Sequence, residues 1–206
     1  MSNKPIIVFE GIEGSGKTTH LRNITSYLKK RNLKYVSLRE PGGSKNSELI
    51  RKIILNKKSD LHIFSDLLLY LAARNENINK IIKKNYKKKI ILIDRFIDST
   101  VAYQHYGMGI NLNLINLINK YLIKDINIDC TFLNIVSIKK LKIRLKKRRT
   151  LNKYDSFKVS FYNKVQKGFL KISRRKKKYT IIDSNKDINV NKKIILNKID
   201  KLIFNL

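Results

Sequence analysis

Gly11, Gly16, Lys17 and Thr18 stand in the spacing G-x-x-x-x-G-K-[ST], with Ile12, Glu13, Gly14 and Ser15 between them. The pattern suits phosphate chemistry. Glycines let successive backbone N–H groups turn inward around phosphate oxygens, and a helix opening at the end of the loop directs its positive dipole end at them. Lys17 then reaches the β- and γ-phosphates, and the Thr18 hydroxyl is placed to ligate Mg²⁺. A second pair, Asp94-Arg95, ends the apolar run Ile90-Ile91-Leu92-Ile93. A carboxylate there holds Mg²⁺ directly or through water, and a guanidinium beside it grips another phosphate. The basic run Arg144, Lys146, Lys147, Arg148, Arg149 and Lys153 offers cations for a mobile lid, at about residues 144–155, over a transferring phosphoryl group. These residues predict a site for ATP with Mg²⁺.

Positioning them requires strands that end, and helices that begin, at one edge of a sheet. Pro5 to Glu10 reads as a buried strand before the loop, and Leu21, Ile24, Thr25 and Leu28 form one face of the helix after it. Tyr35 to Leu38 is a second strand, broken by the turn Arg39-Glu40-Pro41-Gly42-Gly43. Helices are predicted over Ser47 to Leu55 and Ile63 to Asn85. The run Ile90 to Asp94 fits a parallel strand buried on both faces. A polar and aromatic segment, Arg95 to Tyr106, precedes a helix from Leu112 to Leu122. Further strands fall at Cys130 to Ile135 and Tyr179 to Asp183, with helices at Ser137 to about Arg149, Tyr154 to Lys171 and Val190 to Phe204. Strands alternating with helices predict an α/β, doubly wound sandwich of the P-loop NTPase type, with about five parallel strands. No linker or repeat divides the chain, so one domain over residues 1–206 is expected.

Composition narrows the field. With 206 residues, 42% of them hydrophobic, the chain can bury a full core. The single cysteine, Cys130, excludes a disulfide framework and a cysteine-based metal site. No apolar run reaches the ~18 residues of a membrane span and the start does not resemble a signal peptide, so a cytoplasmic protein without a membrane partner is expected. The net charge of +31 taken alone suggests nucleic acid. Yet the lysines are spread over helices, loops and strand edges, alongside abundant asparagine and isoleucine. A/T-rich codons account for that better than a selected patch, and no specific nucleic-acid partner is expected.

The residues resemble those of bacterial thymidylate kinases over almost the whole chain. The resemblance rests on Phe9 to Thr19, on Arg39-Glu40-Pro41-Gly42-Gly43, on Tyr70 with Arg74, and on Asp94-Arg95-Phe96 with Ser99-Thr100-Val101-Ala102-Tyr103-Gln104. It implies transfer of the ATP γ-phosphoryl group to dTMP, in a homodimer. It implies that Glu13 lies near the deoxyribose 3′-OH, Tyr70 stacks on thymine and Arg74 hydrogen-bonds the base edge. The spacing of Tyr70 and Arg74 places both on one helix face. It further implies that Arg95, and with it Arg39, meets the acceptor phosphate, that Pro41 shapes the thymine pocket, and that Thr100 and Gln104 contact the base or its surroundings. Tyr103 would crowd the sugar C2′ face. Gly14 marks the type whose transition-state arginine comes from the lid. Here the lid reads Asn152-Lys153-Tyr154-Asp155 in place of the usual Asp-Arg pattern, so either Lys153 or one of Arg148 and Arg149 supplies that charge.

Such chemistry needs no base, because a phosphate monoester is mostly a dianion at neutral pH; His20, His62 and His105 are read as surface or packing residues. Another nucleoside monophosphate or deoxynucleoside kinase would lack the Tyr70/Arg74 pair and the Ser99 to Gln104 block. A basic nucleic-acid module would concentrate its lysines between exposed aromatics.

Overall fold

Strand β1 (Ile6–Glu10) is buried along its whole length, as β-branched and aromatic residues flanked on both sides demand. The computed structural model describes residues 4–147 and 152–204. The glycine-rich loop after β1 leads into α1 (Lys17–Lys30), then β2 (Tyr35–Arg39), α2 (Lys45–Leu55) and α3 (Ile63–Asn77). Helix α3 continues through a π-helical segment, Ile78–Ile82, into α4 (Lys83–Asn85). Strand β3 (Ile90–Asp94) is followed by α5 (Ile97–Thr100) and a second π-helical segment, Val101–Gly107. The chain ends with α6 (Leu112–Leu122), β4 (Cys130–Ile135), α7 (Ile138–Lys146), a 3₁₀ turn (Lys153–Ser156), α8 (Val159–Arg174), β5 (Tyr179–Asp183) and α9 (Ile188–Phe204).

The five strands form one parallel sheet in the order β2-β3-β1-β4-β5. This is the P-loop NTPase fold. Alternation along β1 sends Ile7 and Phe9 to a layer with Leu21, Ile24 and Leu28 of α1 and Ile195, Ile199 and Ile203 of α9. Ile6 and Val8 face the opposite layer, with Ile78, Ile82 and Phe96. A third cluster, around Leu67, Leu71, Val101, Tyr154 and Val165, packs the helices beyond the strand ends. Phe9 pairs with Asp94 across β1 and β3, so the phosphate loop and the Asp94-Arg95 pair emerge side by side. That is where open α/β sheets place their ligands.

Besides the π-helical segment that interrupts the helix expected over Ile63 to Asn85, three expected elements differ. The helix from Tyr154 to Lys171 is a 3₁₀ turn followed by α8. Asn152 and Asp155 cap the start of the turn reciprocally, and the extended backbone of Phe157 and Lys158 separates it from α8. The helix expected from Ser137 to about Arg149 uses Ser137 as its cap, accepting from the Lys140 N–H, and runs to Lys146. Arg148 and Arg149 lie outside the described residues. The segment Arg95 to Tyr106 is largely helical, wound tightly then loosely as α5 gives way to the π segment.

Candidate active site

The loop from Gly11 to Gly16 depends on glycine at both ends. A Cβ at Gly11, where φ is +135°, would strike the Asn134 carbonyl. Gly16, at φ +91°, occupies the left-handed region just before α1, which a residue with a Cβ avoids. The Lys17 ammonium folds into this loop, donating to the carbonyls of Gly11 at 2.8 Å and Ile12 at 2.9 Å. Burial lowers its pKa to about 8, with the Arg95 charge adding to the effect and Asp94, Glu13 and Glu10 opposing it. The Thr18 hydroxyl stands 3.5 Å from Asp94 Oδ2. Two oxygen donors thus meet at the mouth of the loop.

Arg95 crosses from β3 toward the loop. Its Nη1 donates to the Gly11 carbonyl at 2.7 Å, and its Nη2 donates to Glu13 Oε1 at 2.8 Å. The guanidinium carbon lies 5.1 Å from the centre of the Tyr103 ring, within cation–π range. The Tyr103 hydroxyl donates to the other Glu13 oxygen. Glu13, Arg95 and Tyr103 therefore form one polar unit between the phosphate loop and the helical side of the cleft.

That cleft has a volume of about 620 Å³ and is lined by residues from Glu13 to Thr19, by Arg39, Glu40 and Pro41, and by Tyr70, Arg74, Asp94, Arg95, Thr100, Tyr103 and Gln104. At its helical end Tyr70 and Tyr103 both meet the Tyr154 ring edge-on, at 6.0 and 5.9 Å between centroids. The Thr100 hydroxyl oxygen is buried with no hydrogen-bond partner, although it lines the cleft. Unsatisfied buried polar atoms are few in folded proteins, and a cleft-lining one is free to meet a ligand atom or water.

Arg74 does not lie free in the pocket. It is 1% exposed and donates to Glu40 Oε2 at 2.8 Å, Asn119 Oδ1 at 2.8 Å and the Phe96 carbonyl at 2.9 Å. Arg39 is exposed at the rim and pairs with Glu48 at 3.2 Å. Pro41 follows a cis peptide bond. Within the lid region, Arg144 braces the phosphate loop, donating to the Gly14 carbonyl at 2.7 Å and the Ser184 carbonyl at 2.9 Å. Lys153 stands 3.9 Å from Asp66, whose other oxygen accepts the Tyr154 hydroxyl at 2.5 Å. None of the histidines lines the cleft. His62 caps α3, and His105 Nδ1 contacts the Ile110 carbonyl at 2.8 Å.

Sequence reasoning missed Arg51, which lines the cleft and donates to the Pro41 carbonyl at 2.5 Å. Its signal was weak, since a lone arginine on an amphipathic helix has many possible neighbours. It also passed over Glu10, a carboxylate in an otherwise apolar strand, which needed buried partners to be tolerated.

Comparison with known proteins identifies the family. The thymidylate kinase family model matches residues 9–195. The chain is 39% identical over 202 residues to the thymidylate kinase of Mycoplasma capricolum, covering 94% of this chain and 95% of that protein. It is 42% identical over 172 residues to that of the Wolbachia of Brugia malayi, covering 81% and 80%. The crystal structure of thymidylate kinase from Ehrlichia chaffeensis superposes with a TM-score of 0.77 at 35% identity, covering 95% of this chain and 98% of that one. The chain belongs to the thymidylate kinase family.

Proposed function

We infer that this protein transfers the γ-phosphoryl group of ATP to the phosphate of dTMP, giving dTDP and ADP. Family membership supports the reaction. The observation that carries it on this chain is that the phosphate loop and the aromatic pocket around Tyr70 open into one cleft, with Arg95 between them. An acceptor phosphate oxygen attacks the γ-phosphorus as the bond to the β,γ-bridging oxygen breaks, and ADP leaves. With the acceptor already a dianion, the chief obstacle is repulsion between two polyanions, which grows as the cleft excludes water.

Lys17, facing the donor, and Arg95, facing the acceptor, oppose that repulsion from fixed positions, so catalysis rests on placement and charge. Arg39 adds charge at the rim. Glu13 orients Arg95 and Tyr103 and meets the 3′-OH. Tyr70 stacks on thymine, Pro41 and Arg74 shape and read the base edge, and Thr100 and Gln104 complete the pocket. Tyr103 closes the space beside C2′. The lid charge comes from Lys153, or from Arg148 or Arg149.

Mg²⁺ fits the donor set. Thr18 and Asp94 offer two oxygens, and the described residues contain no cluster of three metal-binding side chains; Mg²⁺ bound with nucleotide takes few protein ligands and completes its shell with phosphates and water. When bound it neutralises charge on the β- and γ-oxygens.

The reading extends to a single domain in a cytoplasmic homodimer. One sheet and a family match over residues 9–195 support the first. Leu49, Ile53, Phe64 and Leu68 leave apolar surface exposed on α2 and α3, which supports pairing. No helix among the described residues is long and apolar enough to cross a membrane. The test is direct: incubation with ATP, Mg²⁺ and dTMP, with products separated by anion exchange, should yield ADP and dTDP in equal amounts. ADP without dTDP would mean hydrolysis and would overturn the reading.

A further inference from the structure

Arg95 holds a backbone conformation that L-residues avoid, with φ at 67°, because Cβ crowds the carbonyl there. Two hydrogen bonds flank it. The Arg95 N–H donates to the Phe9 carbonyl at 2.9 Å, and the next N–H, that of Phe96, donates to Glu10 Oε1 at 2.9 Å. The same Glu10 oxygen accepts the Ser99 N–H at 3.1 Å, and Oε2 accepts the Ser99 hydroxyl at 2.5 Å. Glu10 is fully buried. A carboxylate in that position is costly unless its oxygens are satisfied, and strand pairing alone would be served by any apolar residue.

The segment after Arg95 is gripped from other sides too. The Phe96 carbonyl accepts Arg74 Nη2 at 2.9 Å, so the backbone groups of Phe96 are held by Glu10 at the nitrogen and by Arg74 at the oxygen. Asp98 turns away from the cleft and accepts Lys176 Nζ and the Tyr179 hydroxyl, each at 2.6 Å. Arg74, Lys176 and Tyr179 restrain the segment beyond Arg95, and the Glu10 carboxylate anchors the peptide immediately following it. Strain of this kind persists only where the surroundings over-determine the conformation.

We propose that Glu10 is a positioning residue for the acceptor phosphate, its carboxylate clamping the Phe96 and Ser99 backbone so that the Arg95 guanidinium is aimed at the Gly11 carbonyl and Glu13 of the phosphate loop. The proposal rests on the phosphoryl-transfer reading above. It concerns reach and shape. Glutamine keeps the length and one oxygen for both N–H groups, and its amide nitrogen can donate to the Ser99 oxygen. Aspartate keeps the charge but falls one methylene short. Leucine fills the space and accepts nothing.

The test is steady-state kinetics of the wild type and of Glu10→Gln, Glu10→Asp and Glu10→Leu, varying ATP and dTMP separately, with circular dichroism as a check on folding. Misplacing a group that aligns a reacting phosphate costs about 10- to 100-fold. Glu10→Asp and Glu10→Leu should lose that much in kcat/KM for dTMP while KM for ATP changes less than about 3-fold, and Glu10→Gln should stay within about 3-fold of wild type. Glu10→Asp carries the test if Glu10→Leu does not fold. An aspartate variant with wild-type kinetics, or a parallel rise in both KM values, would overturn the positioning role alone. A wild-type protein inactive on dTMP would overturn the functional reading and this inference with it.

Discussion

Arg95 and Glu13 form an ion pair at 2.8 Å, and the same carboxylate accepts the Tyr103 hydroxyl. The group assigned to the acceptor phosphate and the group assigned to the sugar therefore share one anchor inside the phosphate loop. Alanine at Arg95 or at Lys17 removes a fixed positive charge from the path of the transferred group. Either variant should lose about 10³-fold in kcat with an unchanged circular dichroism spectrum. Retention of wild-type kcat in a folded variant would contradict these roles.

The proximity of Thr18 Oγ1 and Asp94 Oδ2, 3.5 Å apart, bears on metal dependence. Chelation by EDTA should abolish turnover, and excess Mg²⁺ should restore it. Asp94→Asn and Thr18→Ala should each raise the Mg²⁺ concentration for half-maximal rate by about tenfold, the effect expected for weakened metal coordination. An unshifted Mg²⁺ titration in both variants would move the metal site elsewhere.

Arg74 and Glu40 make a buried pair at 2.8 Å, with side chains 1% and 3% exposed. Removing one member leaves the other uncompensated, and burial already pushes the Glu40 carboxyl pKa upward. Arg74→Ala should destabilise the fold by about 3–5 kcal/mol, lowering the melting temperature by roughly 10 °C. Thermal unfolding checks this. A variant that melts with the wild type would show that Asn119 and the Phe96 carbonyl tolerate the loss and that the pair adds little.

Burial, with the Asp98 charge second, pushes the Glu10 pKa from 4.5 up to about 7. Between those values the folded protein holds a proton that the unfolded chain has released. The stabilisation from this proton is fully present below the unfolded value and is lost as pH rises through about 7. Glu10→Gln lacks this dependence. Its melting temperature should therefore gain on the wild type by a few degrees between about pH 5 and about pH 8. Parallel pH profiles would show that Glu10 titrates alike in both states.

Much of this arrangement was legible in the chain. Strands β3, β4 and β5 and helix α6 fall where apolar runs and turn residues place them, because each carries a local apolar pattern bounded by polar residues. The π segments at Ile78–Ile82 and Val101–Gly107 were not legible, since an extra residue in a helical turn is favoured by packing around it and leaves no periodic signature. The same holds for the break between Ser156 and Val159, where Phe157 and Lys158 turn extended with no glycine or proline to mark it. In the candidate site, Lys17 and Thr18 were legible because the phosphate loop fixes their spacing, and Asp94 and Arg95 because they stand at the end of an apolar strand. Arg74 illustrates the opposite case. Sequence places it on the Tyr70 face of α3, but its partners Glu40 and Asn119 come from distant segments. Glu10 was hidden beside the motif, its partners lying beyond β3.

The most direct measurement is a coupled ADP-release assay with ATP and Mg²⁺, comparing dTMP, dUMP, UMP, dCMP, dGMP and AMP as acceptors. The pocket formed by Tyr70, Tyr103, Thr100 and Gln104 predicts kcat/KM for dTMP above that for each of dCMP, dGMP, AMP and UMP by about 10²-fold or more. A preference for any of these four over dTMP would contradict the assignment of this cleft to thymidylate.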